Sequence, residues 1–322
     1  MKYRKLGKTG LTVSEICLGT MTYGEQVEEA ESIKIIEKAL DGGVNFFDTS
    51  NAYVHGRSEE IVGKALKKQR RNVVLATKVA IPVGQGVNDR GLSRFHIMRE
   101  VENSLRRLGT DYIDVYYAHT PDHGTPLEET IRAMDDLVHQ GKVRYIACSN
   151  YLAWLLCKAL WVSDVRNLSH FVCVQSPYNL LTRDIEYELL PMCAAEGIGV
   201  TVYNPLAAGL LTGKHDPASP PAEGTRFALA KGYYQRYWSD VNFKAVTRIG
   251  EIAKSHSRSM AQFALAWVLH NPTVSAAICS ATKMKQIEEN LGAPEVKLTE
   301  EEIKSCDEIW QEIRPPRFFY GR

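Results

Sequence analysis

Four side chains of different chemical type stand at intervals a folded chain can bring together: Asp48, Tyr53, Lys78 and His119. A buried lysine ammonium needs a counter-charge, and Asp48 supplies one. A phenol beside that ammonium is expected to shift from its ordinary pKa of about 10 toward working pH, because a nearby positive charge favours phenolate. Tyr53 in that position is a general acid for a developing alkoxide. An imidazole at His119 adds a hydrogen bond to the same oxygen. Together the four form a proton-donating hole for a carbonyl, which is what hydride reduction requires. Ser149, Asn150, Gln175 and Tyr203 add hydroxyl, amide and aromatic groups further along. Taken singly, each residue also fits an ordinary role in satisfying backbone groups or capping a helix. The set carries the chemical reading.

These residues close short apolar runs, or lie within a few positions of their ends. The runs occupy 15–19, 44–48, 73–79, 113–119, 143–149, 171–176, 199–203 and 274–279. They are rich in Val, Ile, Phe and Tyr and nearly continuous in hydrophobicity, as parallel strands covered on both faces should be. Between them lie helical patterns. Phe95, Met98, Val101, Leu105 and Leu108 make one stripe, after Ser93 as N-cap and before Gly109 as stop. Leu127, Ile131, Met134 and Val138 make another, opened by a capping box from Thr125 to Glu128. Ser259-x-x-Gln262 and Thr299-x-x-Glu302 open two more. The ends of the first seven runs are 27–40 residues apart, the length of one strand–helix unit, and the last interval is 76.

Eight such units predict a (β/α)8 TIM barrel spanning residues 1–322 as a single domain, with a long insertion between the seventh and eighth barrel strands. The turn at 8–11 predicts an N-terminal β-hairpin plugging the barrel floor. An open doubly wound sheet is the competing fold, but G-x-G-x-x-G is missing after the first strand. Barrel sites form at the C-terminal strand ends, where the residues above fall.

The 39 basic and 38 acidic side chains give a formal charge of +1, which argues against nucleic acid as a partner. No run of about eighteen apolar residues suggests a membrane span. The start MKYRKLGKTG lacks the apolar stretch of a signal peptide. Seven scattered cysteines, none in C-x-x-C, read as reduced buried thiols. The expectation is a cytoplasmic protein acting on a small molecule, with no metal and with its oligomeric state open.

The segment G-V-N-F-F-D-T-S-N-A-Y-x-x-G-x-S-E-E at 43–60 resembles the first signature of the aldo-keto reductases. The likeness continues through A-T-K at 76–78, S-L-R-R-L-G-T-D-Y-I-D at 104–114, Y-A-H at 117–119 and Q-S-P-Y-N at 175–179. It extends through Y-N-P-L-A-A-G-L-L-T-G-K at 203–214 to Q-I-E-E-N-L-G-A at 286–293. It is nearest the branch that includes potassium-channel β-subunits and many bacterial reductases. Asn204 departs from that branch's common serine, and Cys279-Ser280 from its usual glycine.

The resemblance implies Tyr53 as proton donor, Lys78 and Asp48 as the pair that tunes it, and His119 as the residue orienting the carbonyl. It implies NADP(H), with the nicotinamide carboxamide on Ser149, Asn150 and Gln175 and the ring stacked on Tyr203. The pyrophosphate would pass Leu206, Gly209, Leu211, Gly213 and Lys214. The adenosine end would meet Ser280, Thr282, Lys283, Gln286, Glu289 and Asn290. Gln286 stands where many relatives have an arginine for the 2′-phosphate, so only a modest preference for NADPH is expected.

The substrate rim is expected at Tyr23, Val54, His55, Thr120–Asp122, Tyr151, Tyr178 and parts of 223–240. Tyr233, Tyr234, Tyr237 and Trp238 either line that pocket or pack the insertion, and the tail from Arg314 either folds over the mouth or is solvated. An aromatic, nearly neutral rim suits a bulky sugar-like, polycyclic or aryl aldehyde or ketone. Two other classes compete: a cofactor-binding regulatory subunit with slow turnover, like the channel β-subunits, and a metal-dependent hydrolase using His119, His123 and Asp48. The latter spacing matches no recognised metal site, and Lys78 would repel a cation.

Overall fold

The computed structural model describes residues 1–256 and 258–315. Two short strands, β1 (Tyr3–Lys5) and β2 (Thr12–Ser14), pair antiparallel as a hairpin. Eight more follow: β3 (Ile16–Gly19), β4 (Phe46–Asp48), β5 (Val74–Val79), β6 (Ile113–Ala118), β7 (Val143–Ser149), β8 (Phe171–Pro177), β9 (Gly199–Tyr203) and β10 (Val274–Cys279). All eight run parallel, each beside the next, and β10 closes onto β3. The expected barrel is present, and each strand ends within one residue of the position expected from sequence.

Near-continuous hydrophobicity arises because each strand buries both faces. Leu18, Phe47, Leu75, Tyr116, Ile146 and Val174 point outward to the helices. Cys17, Phe46, Ala76, Tyr117, Ala147 and Cys173 point into the barrel. Leu6 and Val13 of the hairpin join this inner cluster and close the floor. Gly7, at φ +59°, lies so close to β9 that a Cβ would fall 2.5 Å from the Gly199 nitrogen. Only glycine satisfies that turn and that approach.

The period of two then places the polar layer. Two residues beyond Phe46, Ala76, Tyr117, Ala147 and Cys173 stand Asp48, Lys78, His119, Ser149 and Gln175. All five therefore turn toward the mouth of the barrel.

The helices correct two local expectations. Ser93 caps Arg94–Leu108 by accepting the His96 amide, and Gly109 closes it at φ +62°. The buried face, however, runs through Ile97, Val101 and Leu108, and Phe95 is 61% exposed. Phe95 lies 200° around the helix from Ile97 and packs under the Arg99 guanidinium instead. Leu127–His139 forms as expected, but without a Thr125 cap. Pro126 is its N-cap, and the Thr125 hydroxyl donates to Asp122 at 2.7 Å. Ser259 caps Met260–His270, and Thr299 with Glu302 forms the full capping box of Glu300–Ile313.

Between β9 and β10 the insertion carries the short helices Arg226–Leu229 and Lys231–Tyr237 before the longer Asp240–Ser255. Tyr237 ties it down. Its buried hydroxyl accepts from Asn204 Nδ2 at 2.9 Å and Asn179 Nδ2 at 3.2 Å, which leaves its own proton for Thr182 Oγ1 at 3.2 Å. Trp238 packs against Phe227, His215 and Phe243 and stacks on Tyr234. Of the four aromatics, Tyr237 and Trp238 anchor the insertion, Tyr234 covers Trp238, and Tyr233 alone reaches the cavity described below. Residues 316–322, most of the tail considered for closing the mouth, lie outside the described residues.

Tyr237→Phe leaves buried amide donors short of an acceptor and is expected to cost about 1–3 kcal/mol. A lowered thermal midpoint, with faster proteolytic cleavage within 213–240, is the expected reading.

Candidate active site

Lys78 is fully buried at the C-terminal end of β5. Its ammonium contacts the Asp48 carboxylate, donates to the Thr49 carbonyl at 2.8 Å and donates to Tyr53 Oη at 3.1 Å. An ammonium has three protons, and all three are engaged. The other Asp48 oxygen accepts Gln175 Nε2 at 3.0 Å from across the barrel. Asp48, Lys78 and Tyr53 are thus brought together as expected, and Gln175 joins them.

Tyr53 reaches this position from a tight turn. Val54 at φ +47°, His55 at +53° and Gly56 at +89° are consecutive left-handed residues, an arrangement a β-branched side chain adopts only under constraint. A Cβ on Gly56 would meet Arg107 Cδ at 2.7 Å, so the turn is pressed against that side chain. Arg107 is held by buried Glu59 at 2.6 Å, and Glu59 in turn accepts from Thr77, the neighbour of Lys78.

The electrostatics of Tyr53 differ from the sequence expectation. Burial raises its pKa, the positive charge of Lys78 offsets only part of that, and the Asp48 carboxylate works against Lys78, so the phenol lies above its ordinary value. The ammonium cannot act as a lone cation because its counter-ion is adjacent. Burial likewise opposes charge on Lys78, but Asp48 and Tyr53 outweigh it and its pKa is raised. The ammonium stays charged and the phenol keeps its proton.

His119 faces Tyr53 edge-on, ring centres 5.8 Å apart. Burial and the Lys78 charge lower its pKa to about 3, so the ring is neutral. Its backbone is fixed by Asn150 Nδ2, which donates to the His119 carbonyl at 3.0 Å. Asn150 adopts φ +62°, also donates to Ser149 Oγ and accepts the Tyr203 hydroxyl at 2.8 Å. That bond holds the Tyr203 ring at the cavity wall, and burial pushes its phenol pKa up to about 12.

A cavity of about 740 Å³ opens from these residues and runs along the strand ends. Asp48, Tyr53, His119, Ser149, Asn150, Gln175, Tyr203, Leu206, Gly209, Lys214, Ser280, Thr282, Lys283, Gln286, Glu289 and Asn290 all line it. Two of the residues expected along it, both in the 204–214 turn, do not. Leu211 is fully buried in the core, and Gly213 faces Met260. Their amides are used within the turn, by Leu206 and Leu210. Gln286 is less free than its sequence position implies. Its side-chain oxygen accepts from the Thr282 amide at 2.7 Å, the Thr282 hydroxyl and the Lys283 amide, leaving only its nitrogen to donate.

The expected substrate rim is the least accurate part. Tyr23 is fully buried, its hydroxyl without a hydrogen-bond partner among the described residues, because its ring fills the core. Tyr151 is buried edge-on to Phe171 and borders a separate cavity of about 250 Å³ with Asp122 and His123. Tyr178 is buried and donates to Glu186 at 2.6 Å. The left-handed turn carries Val54 and His55 away from the large cavity, and His55 is exposed beside a small cavity of about 140 Å³. The actual wall includes Met21, Gln26, Glu223–Arg226 and Tyr233. Among these, Glu223–Arg226 and Tyr233 fall inside the interval 223–240 but carry no strand-end signal that would single them out. Among the described residues, no three His, Cys, Asp or Glu side chains converge as a metal site. No helix of the described residues is long and apolar enough to cross a membrane.

The model of the Aldo/keto reductase family matches residues 15–311. The chain belongs to the aldo/keto reductase family. It is 40% identical over 320 residues, 97% of each chain, to a probable voltage-gated potassium channel subunit beta of Oryza sativa subsp. japonica. It is 38% identical over 321 residues, 96% of each chain, to the uncharacterized oxidoreductase YrpG of Bacillus subtilis (strain 168). A versiconal hemiacetal acetate reductase of Aspergillus parasiticus is 37% identical over 335 residues, again 96% of each chain.

In this aldo/keto reductase, the lowered pKa of His119 has a consequence for acid stability. The unfolded imidazole binds a proton near pH 6.5, whereas the folded one does so only near 3, so stability is lost as pH falls between those values. Between pH 7 and pH 5 the wild type should therefore lose more stability than His119→Gln, by on the order of 1–2 kcal/mol. Denaturant midpoints of both proteins at the two pH values check this.

Proposed function

We propose that the protein is an NADPH-dependent oxidoreductase that reduces an aldehyde or ketone to the alcohol, with Tyr53 as proton donor. The observation that carries this reading is the Asp48–Lys78–Tyr53 chain opening onto a long cavity beside a neutral His119. Lys78 donates to the Tyr53 oxygen, so the phenol proton points elsewhere, and the cavity is the open direction. As a bound carbonyl oxygen gains negative charge, Tyr53 gives it that proton, and the ammonium at 3.1 Å stabilises the phenolate left behind. His119 orients the same oxygen by hydrogen bonding. A raised ground-state pKa suits this role, since a donor must hold its proton until the alkoxide forms.

The donors along the cavity fit a nicotinamide dinucleotide. Ser149, Asn150 and Gln175 present amide and hydroxyl groups, the Gln175 side-chain oxygen having no hydrogen-bond partner among the described residues, and Tyr203 presents a fixed aromatic face. Lys214, Arg226 and Lys283 supply cations for phosphates, and Glu289 and Asn290 suit an adenine edge. When bound, the reduced nicotinamide supplies hydride to the carbonyl carbon. Lys283, beside a Gln286 whose oxygen is engaged, and Arg226 elsewhere on the cavity wall favour a 2′-phosphate, so NADPH should be preferred over NADH by about tenfold in kcat/KM, the worth of one charge-assisted hydrogen bond. Tyr53, Tyr203 and Tyr233 line the mouth, which suits a bulky sugar-like, polycyclic or aryl carbonyl. The cytoplasm, with its supply of reduced cofactor, is the proposed location. The second reading, a cofactor-binding regulatory subunit with slow turnover, draws on the similarity to channel β-subunits.

A carbonyl panel including 4-nitrobenzaldehyde, followed by NADPH consumption, tests the reading. Tyr53→Phe is expected to lower kcat at least about 100-fold while leaving NADPH affinity intact. Wild-type turnover in that variant would refute Tyr53 as the acid. Rapid cofactor binding with a single turnover and almost no steady-state rate would favour the regulatory reading.

Arg226→Ala with Lys283→Ala should narrow the NADPH preference by raising the KM for NADPH and sparing that for NADH. An undiminished ratio of kcat/KM values would remove both cations from that role.

A further inference from the structure

His119 is neutral, so its ring carries one proton on one of two nitrogens, and only one choice gives the cavity a donor. Nδ1 lies 3.2 Å from Ser50 Oγ. Among the described residues Ser50 is the only hydrogen-bond partner of the ring, and Nε2 is left to the cavity that His119 lines. Ser50 itself is fully buried. It arrives there by the same alternation that places the rest of the site: Asp48 points inward, Thr49 turns away to Ser58, and Ser50 points inward again one step higher.

We propose that Ser50 is a positioning residue that fixes the tautomer of His119, holding the proton on Nε2 where a bound carbonyl oxygen would meet it. The argument is a count of donors and acceptors. Ser50 Oγ already accepts the Ala52 amide at 3.3 Å. Its hydroxyl has one proton to give, and among the described residues Nδ1 is the acceptor within reach. With that proton directed to Nδ1, the ring proton must sit on Nε2, and the buried Ser50 hydroxyl both donates and accepts. In the opposite tautomer Nδ1–H would donate to Ser50, the buried Ser50 proton would lose its acceptor, and Nε2 would turn a lone pair toward the carbonyl oxygen. Both losses act in the same direction. The lowered His119 pKa supports the same picture by excluding a doubly protonated ring.

Ser50 also shapes the Tyr53 turn, because its carbonyl accepts the Tyr53 amide at 3.1 Å and its hydroxyl the Ala52 amide. One short segment therefore positions both groups that face the substrate oxygen. The kinetic part of the inference rests on the proposed carbonyl reduction. The tautomer does not.

The experiment is a long-range proton–nitrogen spectrum of the protein labelled with 15N-histidine, recorded without substrate, with the His119 signals assigned by their loss in His119→Gln. The wild type is expected to show protonated Nε2 and unprotonated Nδ1. Ser50→Ala should move both shifts toward the average of two exchanging tautomers, and Ser50→Thr, which keeps the hydroxyl, should restore the wild-type pattern. In steady state Ser50→Ala should lower kcat about fivefold, the worth of one neutral hydrogen bond, with the KM for NADPH unchanged. A protonated Nδ1 in the wild type would overturn the proposal, as would an unmoved Nε2–H pattern in Ser50→Ala. If no carbonyl is reduced at all, the spectra still decide the role of Ser50, and only the reading of the site as a reductase falls.

Discussion

Lys78 is a charged group buried at the C-terminal end of the barrel, above its apolar interior, and each of its three protons has an assigned acceptor. Removing such a charge from water is costly unless it is paired and fully hydrogen-bonded, so its neighbours are constrained in turn. Asp48 must supply the counter-charge, Gln175 must cover the second Asp48 oxygen, and Tyr53 must offer its lone pair. Asp48, Lys78 and Gln175 come from strands β4, β5 and β8, and Tyr53 from the turn after β4. The arrangement exists only when the barrel is closed. Loss of one partner leaves a buried charge or dipole without compensation, whereas exchange of a surface ion pair such as Lys34 with Glu31 changes little.

The barrel supplies that setting by stacking layers along its axis. Leu6 and Val13 seal the floor, a band of apolar side chains from Cys17 to Ile278 fills the middle, and the polar residues occupy the top. Tyr117 marks the boundary, its hydroxyl within 3.3 Å of Thr201 and 3.4 Å of Cys173. Water excluded from below lets the few charges above act at low dielectric. The insertion bounds the same space from the side, and its attachment through Tyr237 runs to Asn204 and Asn179 at the ends of the neighbouring strands. Asn204 thus has a packing role, its amide reaching the Tyr237 hydroxyl. It sets the insertion against the cavity.

The phenol of Tyr53 illustrates why proximity alone does not set a pKa. A cation 3.1 Å away favours the phenolate, but burial disfavours any new charge, and the adjacent carboxylate cancels much of the cation's field. The result is a protonated phenol beside a charged ammonium, with a neutral imidazole opposite. Proton transfer from such a phenol becomes favourable only when negative charge appears in the cavity. That couples protonation to the chemistry on the substrate.

Sequence alone determined what local rules govern. Strand ends were legible because parallel strands bury both faces and leave continuous apolar runs, and the inward residues followed from a period of two. Hence Asp48, Lys78, His119, Ser149 and Gln175 stand at the strand ends that the runs mark, and Tyr53 stands beside them. Which way a loop residue faces depends on atoms far away in the chain. Tyr23 and Tyr151 were expected at the rim yet fill the core, while Arg226 and Tyr233 reach the cavity because Tyr237 docks their helices. Phe95 lies outside its stripe because the helix turned its neighbours Ile97 and Val101 to the barrel. The protonation states were likewise settled by tertiary structure, since desolvation, the counter-ion and the Ser50 hydroxyl act together only after strands distant in sequence have closed into one ring.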